Sequence, residues 1–259
     1  MKRTVLLSAF LASTMIAGAA QAQTVAALVG DDTIALVDGA AKKVAKTMKV
    51  SGASGKIVGI DVRPADGMLY AATSDGTLWT VDTATGKATQ KSKLDMPMPT
   101  GAITVDFNPA ADRLRIIGSD GTNLRINVED GKVTKDGMLK FADADMHKGE
   151  KPNIVAGAYT NSFKGTKETT LYDIDATIDG LIRQAPPNDG VLNAVGKIGM
   201  KVDKAAFDIM SDGQGGNEGW LMSGGTLYKI DLATGKGTEV AKIAGVSGEV
   251  RDIAVMPKM

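Results

Sequence analysis

The stretch VGIDVRPADGMLYAATSDGTLWTVDTATGKAT, residues 58–89, decides the fold, because it recurs 45 residues further along the chain. The second copy is ITVDFNPAADRLRIIGSDGTNLRINVEDGKVT, residues 103–134, and 11 of the 32 positions are identical without a gap. A partial third copy places residues 76–89 against 225–238 with 9 of 14 identities. A period of this length is typical of proteins that stack copies of one supersecondary unit.

A threonine followed by an apolar residue marks the repeat along the whole chain. The five steps are Thr33-Ile34, Thr77-Leu78, Thr122-Asn123-Leu124, Thr170-Leu171 and Thr226-Leu227, with spacings of 44, 45, 48 and 56 residues. Each step predicts the start of a strand. The unequal last spacings indicate insertions in the fourth copy.

Each unit reads as four antiparallel strands. In the first strand Val58, Ile60 and Val62 alternate with polar or small residues, which is the period of a strand. Ser74-Asp75-Gly76 predicts a tight turn between the second and third strands, since Asp and Gly tolerate positive φ. Four strands in about 47 residues is the size of one β-propeller blade.

The two ends of the chain predict a closed ring. The segment 253–257 matches a first strand with no further strands after it, and residues 27–44 match second and third strands with no first strand before them. Joining them removes two open sheet edges. We therefore expect an all-β, five-bladed propeller of four-stranded blades, with blades at 250–257 plus 24–51, 57–95, 102–140, 153–198 and 204–244. A six-bladed ring with one degenerate blade and a β-sandwich are the alternatives.

The first 22 residues read as a secretory signal peptide. Lys2 and Arg3 precede a short apolar run, and Ala20-Gln21-Ala22 is a cleavage pattern. Cleavage leaves one propeller domain at 23–259, in the periplasm or secreted, without membrane insertion, since no later apolar stretch is long enough to span a bilayer. The sequence has no cysteine, which excludes disulfides and thiol chemistry.

The near-neutral balance of charged residues argues against nucleic acid as a partner. Removal of Lys2 and Arg3 leaves 28 of the 30 basic residues against 30 acidic ones. The two signs are interspersed and form no basic stripe, so nucleic acid is not an expected partner.

Motifs in all parts of the mature chain resemble those of a bacterial exported family known as domain of unknown function 4394. These motifs are Gly59-Ile-Asp-Val-Arg-Pro64, Val105-Asp-Phe-Asn-Pro109, Asp112-Arg-Leu-Arg115, Asn123-Leu-Arg-Ile-Asn127, Ala158-Tyr-Thr-Asn161, Thr170-Leu-Tyr-Asp-Ile-Asp175 and Gln184-Ala-Pro-Pro-Asn-Asp-Gly-Val-Leu192. The resemblance implies an exported repeat protein of propeller type. It implies no activity and no catalytic residues.

A recurring acidic residue on the first strands is the first candidate metal site. Asp61, Asp106 and Asp208, with Asn161 near the fourth copy, are predicted to line the channel, where oxygen ligands suit a divalent cation such as Ca²⁺. In the alternative, these residues cap backbone N–H groups at blade junctions. Their ion-pair partners would then be Arg63, Arg113, Arg115 and Arg125. Recurrence at the repeat period favours this structural role.

A second candidate lies in the segment 141–153. If this segment is extended, Asp143, Asp145 and His147 share a face and offer two carboxylates and an imidazole to a metal. The alternative, which we favour, is a polar loop in which Asp residues stabilise turns. His147 is the only histidine, and no nucleophile motif accompanies it.

The insertions in the fourth copy offer a ligand-binding surface, because insertions in repeat proteins gather on one face. Its candidate residues are Tyr159, Asn161, Phe163, Arg183 and Asn188. A structural brace between blades is the alternative.

No catalytic constellation emerges from the sequence. The leading hypothesis is an exported, non-enzymatic propeller that binds an envelope protein, a glycan or a small ligand. A metal-dependent hydrolase of the lactonase kind, or a lyase, with a cation in the channel is one alternative. A structural protein of the cell envelope is the other.

Overall fold

The computed structural model describes residues 23–257, so the predicted signal peptide at 1–22 lies outside the described residues. In chain order its strands are β1 (Thr24–Val29), β2 (Thr33–Asp38), β3 (Lys43–Lys49), β4 (Ile57–Val62), β5 (Leu69–Thr73), β6 (Thr77–Val81), β7 (Ala88–Lys93), β8 (Ile103–Asn108), β9 (Arg113–Gly118), β10 (Asn123–Ile126), β11 (Val133–Lys135), β12 (Lys140–Phe141), β13 (Ile154–Tyr159), β14 (Leu171–Asp175), β15 (Gly180–Gln184), β16 (Val191–Lys197), β17 (Ala206–Ser211), β18 (Asn217–Ser223), β19 (Thr226–Ile230), β20 (Gly237–Lys242) and β21 (Val250–Val255). A short 3₁₀ helix, Pro187–Asp189, precedes β16.

These strands form five sheets, which are the five blades of a β-propeller. Blade 1 has the strand order β21-β1-β2-β3, blade 2 β4-β5-β6-β7, blade 3 β8-β9-β10-β11, blade 4 β13-β14-β15-β16-β12 and blade 5 β17-β18-β19-β20. The predicted all-β class, the blade count and the order of four antiparallel strands within each repeat are confirmed. Among residues 23–257, no helix has the length and apolar character needed to cross a bilayer.

The ring closes as predicted, through the two ends of the chain. The last strand, β21, pairs antiparallel with β1, with Val255 opposite Val25 and Asp252 opposite Leu28. Blade 1 therefore takes its innermost strand from the C-terminal end and its other three strands from the N-terminal end. This pairing covers edges that would otherwise be open to other chains.

Blade 4 departs from the other repeats in two ways. Thr170-Leu171 begins the second strand, β14, whereas the other four threonine steps begin third strands. Lys140, which the repeat assigns to blade 3, and Phe141 of the following segment form β12 and add a parallel edge strand to blade 4. Gly137 and Gly190 permit this close approach, since a Cβ at either position would lie 2.4 Å from a backbone oxygen of the other segment.

The core lies between neighbouring blades. Both faces of the inner strands are buried, because each sheet packs against the sheets on either side; β4 and β8 show this clearly. Between blades 2 and 3, Tyr70 and Phe107 meet edge to face with their ring centroids 5.1 Å apart. The innermost strands of all five blades consequently surround one central channel.

Candidate functional site

Three carboxylates from three blades meet in the central channel. Asp61 on β4, Asp106 on β8 and Asp208 on β17 are buried, and one oxygen of each lies within 4.8 Å of the others. The sequence predicted this convergence from the repeat. Oxygen donors at this separation match the ligands that Ca²⁺ and Mg²⁺ prefer.

Each channel carboxylate also connects its own blade to the next one. An oxygen of the Asp side chain accepts a hydrogen bond from a backbone N–H of the following inner strand. The bonds join Phe107 N to Asp61 Oδ2 (2.6 Å), Tyr159 N to Asp106 Oδ1 (3.0 Å), Val255 N to Asp208 Oδ2 (2.5 Å) and Ile60 N to Asp252 Oδ2 (2.8 Å). The N–H capping that the sequence suggested is therefore present at four of the five blade junctions.

The ion-pair partners expected for these carboxylates are elsewhere, so that part of the structural alternative is wrong. Arg63 pairs with Asp66, Asp112 and Glu129, Arg115 and Arg125 share Asp136, and Arg113 donates to the carbonyl of Asp112. Among residues 23–257, no salt bridge reaches Asp61, Asp106, Asp208 or Asp252. The channel thus concentrates carboxyl groups that no basic side chain of the described residues pairs with.

Burial and mutual repulsion perturb the acidity of this group. Burial, followed by repulsion from Asp208, raises the pKa of Asp61 well above its usual value. Burial and repulsion from Asp61 do the same to the pKa of Asp106. Burial alone raises the pKa of Asp208 to about 6. Buried carboxylates of this kind remain ionised only when a cation or hydrogen-bond donors compensate them.

Blade 4 has no Asp on its inner strand, and Gly157 leaves a gap there that another carboxylate fills. Asp173 on β14 lies directly opposite Gly157, and its Oδ1 is 2.4 Å from where a Cβ of residue 157 would be. Asp173 is fully buried and neither of its oxygens has a hydrogen-bond partner, nor has the hydroxyl of the adjacent Thr104. Burial raises the pKa of Asp173 to about 8.

Asn161 connects blade 4 to blade 5, at the junction where the channel Asp is missing. Its backbone N–H donates to Asn217 Oδ1, and Asn217 Nδ2 donates to Asn161 Oδ1, both at 2.8 Å. Asn161 Nδ2 donates to the carbonyl of Glu168. Both ends of the predicted ligand amide are thus engaged, the oxygen with blade 5 and the nitrogen with the loop of its own blade.

The segment containing Asp143, Asp145 and His147 is a series of turns, as the favoured alternative predicts, and it lacks the extended conformation that the metal site required. Asp145 accepts hydrogen bonds from the N–H groups of His147 and of Ala194 on β16, which stabilises the turn and ties it to blade 4. Asp143 points to solvent with 94% of its side chain exposed. His147 Nδ1 lies 3.1 Å from Glu150. These three side chains do not converge on one point, as the favoured turn alternative implies.

Two of the five residues in the proposed ligand surface belong to a brace between blades 3 and 4. The guanidinium of Arg115, 1% exposed, donates to the Tyr159 hydroxyl at 3.0 Å and to Asn188 Oδ1 at 2.8 Å. Arg183 is exposed on β15, and Phe163 is half-buried in the loop after β13. Their part in ligand binding stays a prediction.

One mouth of the channel is a cavity of about 270 Å³. Residues at the starts of the inner strands line it, namely Val58, Ile103, Val155, Ala205 and Val250, together with Ala102, Asp203, Lys204, Glu249 and Arg251. Asp61, Asp106 and Asp208 follow three residues later on their strands, about 10 Å deeper at the rise of a β-strand. The cavity therefore lies at the same end of the three strands as their first residues, and the carboxylates lie beneath it.

Sequence reasoning missed Asp252 and Asp173. Strand register places Ala254, and not Asp252, at the position of Asp61. Asp252 lies two residues earlier on its strand, so the repeat period could not mark it. No sequence pattern pointed to Asp173. It lies on a second strand, and it reaches the inner strand only because residue 157 is glycine.

Comparison with known proteins places the chain in a family. Residues 33–254 match the family described as domain of unknown function (DUF4394). The chain belongs to this family. No curated protein matches the sequence.

Solved structures share the architecture at low identity. A structural genomics protein of unknown function from Bacteroides thetaiotaomicron has a TM-score of 0.53 and 17% identity, over 92% of this chain and 66% of that chain. A protein of unknown function from Bacteroides caccae has a TM-score of 0.45 and 12% identity, over 91% and 99% of the two chains. The first of these similarities supports the fold and extends to nothing further.

Proposed function

We propose that this protein is an exported, non-catalytic β-propeller that binds a hard divalent cation such as Ca²⁺ in its channel. The cation-stabilised ring would then hold an envelope protein, a glycan or a small ligand. The observation that carries the proposal is the convergence of Asp61, Asp106 and Asp208 within 4.8 Å, without a basic side chain among their salt-bridge partners in residues 23–257. An oxygen-only donor set favours Ca²⁺ or Mg²⁺ over Zn²⁺ or copper.

The hydrogen bonds to these carboxylates are compatible with a bound ion. A carboxylate has about four acceptor positions, so the N–H groups that reach Asp61 and Asp208 leave further lone pairs. The unpartnered oxygens of Asp173 beside β13 show a second buried carboxyl near the inner strands whose hydrogen-bonding capacity is unused. An ion here would offset the repulsion and connect blades 2, 3 and 5 directly.

The position of the only histidine supports placing the protein among binding proteins. His147 lies in a loop tied to the outer part of blade 4, and its imidazole contacts Glu150 of the same loop. It is therefore unsuited to serve as an acid or base for a substrate in the channel. Detectable hydrolysis or elimination by the cation-loaded protein would contradict the non-catalytic part of the proposal.

The test is metal analysis of the purified mature protein, combined with thermal melts with chelator and with Ca²⁺. We expect about one ion per chain and a higher Tm with Ca²⁺, since a ligand at one hundred times its Kd stabilises the native state by about 2.7 kcal/mol. Asp106→Asn and Asp208→Asn should each reduce this gain, while Asp143→Asn, which changes an exposed carboxylate, should not.

Two channel variants are used because either one alone could fold poorly. Melts in chelator report folding independently of the ion. The cation proposal would be contradicted if the wild-type protein contained no ion and melted at the same temperature in Ca²⁺ and in chelator. These carboxylates would then only connect blades through hydrogen bonds.

A further inference from the structure

A cavity of about 210 Å³ lies on blade 3 and is lined only by basic and neutral polar residues. These are Arg113, Arg125, Asn127, Lys132 and Thr134. They share one face of β9, β10 and β11, because Arg125 lies opposite Thr134, Arg113 is next to the Leu114–Ile126 pair, and Asn127 bonds across to Lys132. The cavity thus brings three positive charges together with no lining carboxylate.

Existing contacts orient the two arginines. Asp136 holds Arg125 through two bonds, from Nε to Oδ2 at 2.7 Å and from Nη2 to Oδ1 at 2.9 Å. Asp136 is also shared with the buried Arg115 at 2.6 Å, so one carboxylate serves two guanidinium groups. The carbonyl of Asp112 accepts from Arg113 Nη1 at 2.8 Å. Arginines held in this way lose less conformational entropy when they bind an anion.

Blade 5 provides an internal comparison, because the same cavity recurs there with different charges. Its counterpart of about 390 Å³ includes Glu218, Lys229, Asp231, Lys236 and Thr238. Strand register matches these with Arg113, Arg125, Asn127, Lys132 and Thr134 in that order. Two lysines face two carboxylates in blade 5, and Lys229 pairs with Glu218 at 2.7 Å. Blade 3 differs mainly by replacing both acids, so no carboxylate lines its cavity, and Asp136, which holds Arg125, is shared with Arg115.

From this comparison we propose that the blade 3 cavity binds a phosphate or sulfate group, either as a free anion or as part of a larger ligand. Arginine presents parallel N–H groups that match the oxygens of such anions, and lysine adds a point charge. The cavity volume corresponds to roughly seven water molecules at about 30 Å³ each, which is ample for such a group. The site is independent of the channel cation.

The test is titration of the full-length mature protein with inorganic phosphate, sulfate and glycerol 3-phosphate, followed by calorimetry and by melting temperature. We expect saturable binding with one site per chain. Arg113→Gln combined with Lys132→Gln should weaken binding at least about tenfold, since each charge-assisted hydrogen bond that is lost is worth about that factor. Lys229→Gln combined with Lys236→Gln, the matched change in blade 5, should leave binding intact.

The three anions separate the sources of the group. Tighter binding of glycerol 3-phosphate than of inorganic phosphate would identify a phosphate ester on a larger ligand, and equal binding would identify the free anion. Equal weakening by both double variants would overturn the proposal, because it would show nonspecific charge attraction. Failure of all three anions to saturate the wild-type protein would overturn it as well.

Discussion

Blade 3 places the guanidinium of Arg115 at the register position where blade 5 places the indole of Trp220. Each lies opposite the channel carboxylate of its own blade, Asp106 or Asp208. Arg115 is satisfied by Asn123, Asp136, Tyr159 and Asn188, in a polar interface with blade 4. Trp220 instead belongs to an apolar cluster shared with blade 1.

This difference shows how a repeat can keep one backbone while neighbouring interfaces change chemistry. The inner-strand Asp and the ladder register are common to both blades. The next residue outward depends on which blade it meets. Blade 4 brings inserted loops and an amide group at Asn188, whereas blade 1 brings aliphatic side chains. The outer cavities extend the same contrast, with charge balanced in blade 5 and unbalanced in blade 3.

The largest expected effect is a loss of stability when Arg115 is changed. Arg115→Lys keeps the charge but loses the planar fork that contacts four partners, so we expect a loss of about 3 kcal/mol in the free energy of unfolding. Trp220→Phe retains an aromatic ring in the apolar cluster and loses one hydrogen bond, from the indole N–H to Glu218 Oε1, so it should cost about 1–2 kcal/mol. Urea denaturation measures both. Equal losses would show that the polar and the apolar interface tolerate substitution equally, which would contradict the difference described between blades 3 and 5.

A smaller effect should follow pH when the channel contains no cation. The folded-state pKa values of Asp208 and Asp173, raised to about 6 and about 8, lie above the ordinary value of 3.8. The folded protein therefore binds more protons than the unfolded chain, and stability should fall as pH rises from about 4 through 6 to 8. Thermal melts in chelator measure this fall, and Asp208→Asn should reduce the part between about 4 and 6.

Carboxylates in the hairpin turns have the opposite dependence. A hydrogen bond from Thr73 is the main reason that the pKa of Asp75 falls to about 2. Burial alone would raise the pKa of Asp120, but hydrogen bonds from Thr122 and Thr100 together outweigh it and lower the pKa to about 2. Their contribution is present above the ordinary value of 3.8 and is lost as pH falls toward 2. Stability in chelator should therefore be greatest near pH 4 to 5. A maximum at pH 8 would show that the channel carboxylates carry no unfavourable charge.

The smallest effect on stability, and the sharpest test of the comparison, is a transfer of charge between blades. Glu218→Arg combined with Asp231→Asn gives the blade 5 cavity the charges of blade 3. We expect the number of phosphate sites measured by calorimetry to rise from one to two per chain. The melting temperature should fall only by the loss of the Glu218 contacts with Trp220 and Lys229. An unchanged stoichiometry would mean that the fixed arginine geometry around Asp136, and not the net charge, creates the site.

Much of the fold could be predicted because the repeat is visible in local pattern. Alternation in residues 58–62, the turn at Ser74-Asp75-Gly76 and the match between the chain ends are short-range features, and strand periodicity translates them directly into blades. The channel position of Asp61, Asp106 and Asp208 followed from the same period. The metal-binding expectation for His147 had no such support, since a single loop has no second copy that could reveal its conformation.

The sequence by itself determined the class, the number of blades, the closure of the ring and the inner-strand carboxylates Asp61, Asp106 and Asp208, because each of these repeats or pairs at a spacing that can be read along the chain. Only the tertiary structure decided that Asp173 occupies the gap at Gly157 and that Arg115 pairs with Asp136 and not with a channel carboxylate. It also decided that three basic side chains line one cavity on blade 3. These outcomes depend on which side chains of distant segments meet across a sheet or a blade junction. Burial then determines the free-energy cost, because a charge without a partner is well solvated in water and loses that solvation between blades.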